Sequence, residues 1–412
     1  MKQTATRIST YSADVMGVCS ALFELGGMTV MHDASGCNST YTTHDEPRWY
    51  DMDSMVYISA ISEMEAIMGD DEKLISDIAD AAAELKPAFI AVAGTPIPTM
   101  TGFDFEAVAE VIEQRTGIPS FGFPTTGMNT YIHGASMALA GIAKRFVTPP
   151  DMGSVPVSAA YKVNILGLTP LDFSVNGQDL SIAAWLESEG FEVVSKWAMG
   201  SSLDEIKHAG EADVNLVVSA AGLGAAEVML ERFCIPYVAG VPVGDEPAGQ
   251  SPKVFLANAL RQYASQNRRT DRGEERSLPP GGMFITTDVS RLPDADKAAL
   301  AKGKVVIIGE PVTSMALATA IETAAGRDTQ VLCATDPISM MLRPKDRITP
   351  DEDDIIPELA NAAVVIADPL YRPIVPESAE FIALPSEAFS GRIYREDIPD
   401  LTKDAAVIMD RL

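Results

Sequence analysis

Short apolar runs rich in β-branched residues recur along this chain, each followed by turn residues and then a stretch with helical periodicity, and no other feature restricts the possible folds as strongly. Phe89-Ile90-Ala91-Val92-Ala93, Lys162-Val163-Asn164-Ile165-Leu166-Gly167, Val214-Asn215-Leu216-Val217, Lys304-Val305-Val306-Ile307-Ile308-Gly309 and Ala363-Val364-Val365-Ile366-Ala367 are of this kind. Their spacing is that of βαβ units, which require α/β architecture. After the first run, 105–115 reads as a helix with Val108, Val111 and Ile112 on one face, and 120–123 as the next strand. The second block gives a helix over 180–189, strands at 191–195 and 214–219, a helix over 225–233 and a strand near Tyr237. The third gives a helix over 314–324 and strands at 330–333, 363–367 and 381–384. Three doubly wound, Rossmann-like modules with mostly parallel sheets around a central cleft are therefore expected, over 1–155, 156–285 and 286–412. The segment 266–282, polar and ending in Pro279-Pro280-Gly281-Gly282, reads as an exposed connection.

A chain of 412 residues has room for about three ordinary domains. No run of eighteen apolar residues occurs, and 1–10 lacks an apolar signal core, so a cytoplasmic protein without a membrane span is expected. Four cysteines do not make a disulfide framework and fit a reducing compartment. A net charge of -27 repels a phosphate backbone and argues against nucleic acid as a partner.

In open α/β sheets the chemistry lies beyond the carboxyl ends of the strands. The loops to watch begin near Gly94, Gly167, Ala220, Gly309, Thr335 and Asp368. Gly222-Leu223-Gly224 follows a strand, but Glu227 stands where a dinucleotide fingerprint needs its third glycine. There is no Gly-x-x-x-x-Gly-Lys-Ser/Thr and no Gly-x-Ser-x-Gly, so ATP hydrolysis and a serine nucleophile elbow are unsupported. His32, His44, His133 and His208 lack the spacing of a helical zinc site. His32 and His44 bracket Cys37 and fit a hydrogen-bonding role. Cys234 and Cys333 read as small buried hydrophobes. Cys19 and Cys37 stand apart because of their setting. Cys19 opens a helix-like run to Leu25, Gly26-Gly27 permits a turn, Thr29-Val30-Met31-His32 reads as a strand, and Cys37 emerges in a glycine-flanked loop whose amides could face cluster sulfurs.

Several stretches, in order, resemble the nitrogenase component 1 superfamily, which includes dinitrogenase subunits, cofactor-assembly scaffolds and dark-operative tetrapyrrole reductases. Gly17-Val18-Cys19 and His32-Asp33-Ala34-Ser35-Gly36-Cys37 are similar to its first two cysteine loops. Met68-Gly69-Asp70-Asp71-Glu72-Lys73-Leu74 resembles its Gly-Gly-x-x-Lys-Leu segment. Thr95-Pro96-Ile97 to Gly102-Phe103-Asp104 resembles Cys-Pro-Ile-Gly-x-x-Gly-Asp with threonine at the cysteine. Leu230-Glu231-Arg232-Phe233-Cys234-Ile235-Pro236-Tyr237 resembles Glu-Glu-x-Phe-Gly-Ile-Pro-Tyr with Cys234 at the glycine.

The departures narrow what the resemblance implies. Dinitrogenase draws three cysteines from each of two subunits for an eight-iron cluster. Here Cys19 and Cys37 are the matching pair, and Thr95 is a poor iron ligand. Two chains, as a homodimer or a heterodimer with a related subunit, would supply four thiolates to a bridging 4Fe–4S cluster. Val218 and Pro385 fall where the molybdenum–iron cofactor has its cysteine and histidine, which argues against nitrogen fixation on that cofactor. The expected activity is that of a nitrogenase-like oxidoreductase. A separate P-loop ATPase iron–sulfur reductase donates electrons through the interface cluster, and a small organic molecule, with a tetrapyrrole as one candidate, is reduced in the cleft. The alternatives are a metallocofactor-assembly scaffold without turnover and a redox-inactive binding module. Candidate cavity residues are Asn129, Tyr131 and His133, with Ser219 and Glu310 at strand ends.

Overall fold

The computed structural model describes residues 7, 12–36, 38, 45–150, 160–244, 252–270, 283–284, 303–335 and 342–412. Cys37 and His44 lie outside the described residues. Fourteen strands among them form three sheets: β1 Met28–Met31, β2 Met55–Ile58, β3 Ile90–Ala93 and β4 Ser120–Phe123 in the first, β5 Tyr161–Leu166, β6 Phe191–Trp197, β7 Val214–Val217, β8 Tyr237–Ala239 and β9 Met283–Phe284 in the second, and β10 Lys304–Gly309, β11 Thr329–Cys333, β12 Arg347–Ile348, β13 Ala362–Ala367 and β14 Glu380–Ala383 in the third. The spatial orders are β2-β1-β3-β4, β6-β5-β7-β8-β9 and β12-β11-β10-β13-β14. Every strand pair is parallel.

The central strands β1, β3 and β7 are buried along their whole length, as strands covered by helices on both faces must be. Strand order reverses between β1 and β3, between β5 and β7, and between β10 and β13. At these switch points the connecting loops part and leave a crevice at the carboxyl ends. One hydrophobic core runs through all three sheets, including Ala91, Leu216 and Ile307.

The helix Tyr131–Phe146 joins the first two modules and packs against the helix Asp14–Leu22 with backbone in direct contact. Glycine makes this possible. A Cβ on Gly17 would lie 2.0 Å from the Tyr131 carbonyl oxygen, and one on Gly134 1.8 Å from that of Asp14. The Asp14 carboxylate then accepts the amides of Thr126 and Gly127 at 3.0 and 2.7 Å, fixing the loop that leads into Tyr131. Gly222 and Gly224 likewise serve packing. A Cβ on Gly222 would meet the Leu166 carbonyl carbon at 2.5 Å, and one on Gly224 the Ser136 carbonyl oxygen at 2.7 Å. That is the physical role of the Gly-Leu-Gly run.

Four local expectations change. Cys19 lies inside the helix Asp14–Leu22 instead of opening one, because the helix begins as soon as the chain leaves the bridge between Ala13 and Thr130. Val111 is exposed, and Ala109 shares the buried face of its helix with Val108 and Ile112. The residues 266–270 finish the helix Pro252–Thr270 rather than forming a connection. Gln266 and Asn267 are buried, and the Arg268 guanidinium holds Asp213 at 2.6 Å. Cys234 is exposed and caps its helix with φ of 58°, a left-handed conformation that favours glycine, the residue found there in the motif it resembles.

Candidate functional site

The switch points of the second and third sheets lead into one cavity of about 550 Å³, counting its open mouth. Asp172 and Phe173, which follow β5, form one wall. Ile308, Glu310 and Ser314 around the end of β10 form a second, and Leu384, Pro385 and Phe389 after β14 close it. No lysine, arginine, histidine or cysteine occurs among the described residues that line it.

The polar end is built around two carboxylates. After β5 the chain turns at Gly167, φ 90°, and Thr169 caps the short helix Pro170–Phe173, which aims Asp172 inward. Asp172 accepts three hydroxyls: Thr169 at 2.7 Å, Ser219 at 2.6 Å, and Tyr131 in a short contact. Tyr131 is fully buried, and burial together with the charges of Asp172 and Glu310 pushes its phenol up. Glu310 caps the helix Pro311–Ala324, with one oxygen accepting the Thr313 amide at 2.7 Å. Its other oxygen crosses to the second module and accepts the Ala220 amide at 2.8 Å. Burial first, then the neighbouring Asp172 charge, push the Glu310 carboxyl up to about 8. Burial also raises Asp172, to about 6, and its hydroxyl donors pull the other way. Both shifts favour the protonated form, and the larger one falls on Glu310.

Tyr131, Ser219 and Glu310, singled out from the sequence, thus converge on Asp172, which no sequence motif marks. Asn129 and His133 do not join them. The Asn129 amide donates to Asp14 at 3.1 Å and belongs to the helix crossing, and His133 is exposed on the first turn of Tyr131–Phe146. Pro385 lines the cavity, and Val218, next to Ser219 in the chain, is buried in the core.

The region around the other candidate pair is different in kind. Cys19 is wholly buried in the helix Asp14–Leu22, and burial, with the nearby Glu46 charge, pushes its thiol far up. Glu46 is sealed under Arg48, which also holds Glu24 at 2.9 Å and the Ser20 carbonyl at 2.7 Å. Thr95 donates its hydroxyl to the His32 carbonyl at 2.8 Å and to Asp33 at 3.1 Å, tying the loop after β1 to the loop after β3. His32 lies against Phe103, with ring centroids 4.5 Å apart, and shares a hydrogen bond of 2.8 Å with Ser59. Burial lowers its imidazole to about 4, so it is neutral. Among the described residues no group of three or more His, Cys, Asp or Glu side chains is arranged to hold a metal ion. Cys19 by itself offers one sealed thiol, so the described residues alone do not make a cluster site. No helix among them is long and apolar enough to cross a membrane.

Comparison with known proteins bears on this arrangement. Residues 14–276 match the family described as Nitrogenase component 1 type Oxidoreductase. The nitrogenase iron-molybdenum cofactor biosynthesis protein NifE of Clostridium pasteurianum is 29% identical over 183 residues, 43% of this chain and 38% of that protein. A subunit of the light-independent protochlorophyllide reductase of Prosthecochloris aestuarii is 32% identical over 152 residues, 36% of this chain and 25% of that one. The alignments thus span well under two thirds of these relatives. The solved structure of nitrogenase Cp1 at pH 6.5 superimposes with a TM-score of 0.68 at 16% identity, over 100% of this chain and 93% of that one, which establishes the likeness of fold.

Proposed function

Because the chain belongs to the nitrogenase component 1 type oxidoreductase family, we propose that it is the substrate-binding component of a two-component reductase. A small organic molecule, for which a tetrapyrrole is one candidate, enters the cavity between the second and third modules and is reduced there. Electrons come from a separate ATP-hydrolysing iron–sulfur protein. The observation that carries this reading is the cavity itself. It is lined by residues that follow β5, β10 and β14, and its polar end holds two carboxyls, Asp172 and Glu310, both pushed up by burial.

An iron–sulfur cluster shared by two chains through Cys19 and Cys37 belongs to the same proposal, and so does a cytoplasmic dimer. When bound, such a cluster would supply one-electron transfer at low potential. Cys19 is wholly buried, so its thiol would have to be reached within the helix that holds it. The second reading, a scaffold that carries a metallocofactor precursor, is favoured by the similarity to NifE. The cavity wall weighs against it, since the described lining residues include neither thiol nor imidazole to hold a metal cargo.

The test is anaerobic purification with iron and sulfide analysis, followed by mixing with a reductase ATPase of the same organism and candidate acceptors. ATP-dependent reduction of an organic acceptor supports the oxidoreductase. A tightly bound metallocluster released intact, with no turnover, supports the scaffold. Absence of iron together with absence of turnover leaves a redox-inactive binding module and refutes both.

A further inference from the structure

We infer that Glu310, with Asp172 as its paired carboxylate, donates the proton to the molecule reduced in the cavity, a role that rests on the reductase reading above. Both side chains line the same cavity, and each is fixed by bonds that leave it no freedom to turn away. The two oxygens of Glu310 accept amides from different modules, Ala220 at 2.8 Å and Thr313 at 2.7 Å. Amide hydrogens cannot be surrendered, so these bonds position the carboxyl group without supplying its proton. Asp172 differs, because Thr169, Ser219 and Tyr131 all point hydroxyl hydrogens at it. Three hydroxyl donors favour the carboxylate form of Asp172. Its charge beside the buried Glu310, together with burial, holds the pair's remaining proton on Glu310 against the opposite pull of the amides.

Among the described residues, the charged and titratable groups around the pair come from several elements. Tyr131 approaches from the helix Tyr131–Phe146, and Cys333, at the end of β11, stands near Tyr131. Glu387, held by Arg395, accepts the Ser174 hydroxyl at 3.1 Å just past the helix that carries Asp172, and Asp368 accepts the amide of the cavity residue Ser386 at 2.9 Å. Among the described residues that line the cavity there is no lysine, arginine or histidine to neutralise the pair. The apolar wall of Phe173, Ile308, Leu384 and Phe389 keeps the acid poorly hydrated.

Reduction of a C=C or C=N bond by two electrons consumes two protons. The electrons come from the low-potential iron–sulfur reductase. The O–H bond of Glu310 breaks, its electron pair stays on the carboxylate, and a C–H or N–H bond forms on the substrate. Water reprotonates Glu310 through the cavity mouth, and the second proton follows by the same route.

Infrared titration of the purified protein between about pH 5 and 10 tests where the proton is without any substrate. A carboxylic-acid C=O band should persist at neutral pH and vanish with a midpoint about 8. It should be missing in Glu310→Gln, and in Asp172→Asn its midpoint should fall, since the neighbouring charge is gone. A wild-type protein with no such band at neutral pH, or a band retained in Glu310→Gln, overturns the inference. The donor role is read in the ATP-dependent assay with the acceptor that the wild type reduces. Glu310→Gln should slow product formation at least tenfold while electron delivery by the reductase is unchanged. Equal rates and equal pH profiles for the variant and wild type overturn it. If the wild type reduces nothing, the reductase reading fails, and the infrared result still decides whether the pair stores a proton.

Discussion

Replacing Glu310 by glutamine should reshape the pH dependence of stability, and the size of the effect follows from the structure. The Glu310 carboxyl rises from 4.5 to about 8 on folding, chiefly through burial. A raised acid binds its proton more tightly in the folded state than in the unfolded one, so stability falls as pH climbs through that window and levels off above it. At 1.36 kcal/mol per pH unit the ceiling is about 5 kcal/mol. Glutamine has no proton to lose, so this penalty disappears. Its carbonyl oxygen can accept only from one side, and the amide group then faces either the Ala220 or the Thr313 N–H, which costs about 1–2 kcal/mol at every pH. The variant should therefore be the less stable protein near pH 5 and the more stable one, by about 3 kcal/mol, near pH 9. Urea unfolding midpoints at about pH 5, 7 and 9, compared at matched slopes, measure the difference. Stability curves that run parallel across this range would refute the placement of the proton on Glu310.

Gly134→Ala should destabilise by about 2–4 kcal/mol despite the better helix propensity of alanine, because its Cβ would lie 1.8 Å from the Asp14 carbonyl oxygen and must push two helices apart. Gly141→Ala on the same helix has side-chain rings as its nearest neighbours, Phe123 at 3.3 Å and Phe121 at 3.5 Å, and should be close to neutral. Denaturant midpoints for the two variants decide whether the crossing is as tight as described. Tyr131→Phe keeps the ring and removes one hydroxyl from Asp172. It should cost about 1–2 kcal/mol and raise the Asp172 pKa further, as read by carboxyl carbon NMR. Arg48→Met leaves Glu46 buried without its 2.6 Å partner and should cost about 3–5 kcal/mol by urea unfolding. For the proposed cluster, Cys37→Ala should abolish iron binding in anaerobic protein. Iron retained in full would remove Cys37 from the ligand set, and the same measurement on Cys19→Ala shows whether a thiol this deeply buried takes part.

The strands were legible because their signal is local. Lys304–Gly309 and Ser120–Phe123 can be read residue for residue, since a short apolar β-branched run between turn residues is legible without knowing what covers it. The misreadings concern residues whose state depends on a distant neighbour. Gln266 and Asn267 look like solvated loop residues. They are buried because the helix Pro252–Thr270 lies along the second sheet, with the Asn267 amide donating to the Asp213 carbonyl at 3.1 Å. Gly222 and Gly224 look like the start of a dinucleotide site. What they meet is the backbone of Leu166 and Ser136, which are far away in sequence.

The site divides along the same line. Ser219 and Glu310 could be chosen because each ends an apolar strand, and strand ends are where α/β proteins put their ligands. Asp172 ends no strand and lies in Pro170-Leu171-Asp172-Phe173, which reads as an ordinary helix start. Its importance arises from Ser219, 47 residues later, whose hydroxyl reaches it once β5 and β7 pair in the second sheet, and from Tyr131, 41 residues earlier, whose hydroxyl arrives with the helix Tyr131–Phe146. A carboxylate's proton affinity is set by such assembled surroundings and not by its neighbours in sequence. Asn129 shows the converse. It follows a strand and precedes Tyr131 by two residues, yet its amide is spent on Asp14, because the glycine-mediated helix crossing brings that carboxylate under the loop. Position at a strand end therefore selects candidates, and the partner that reaches each one from a distant part of the chain decides which of them face the cavity.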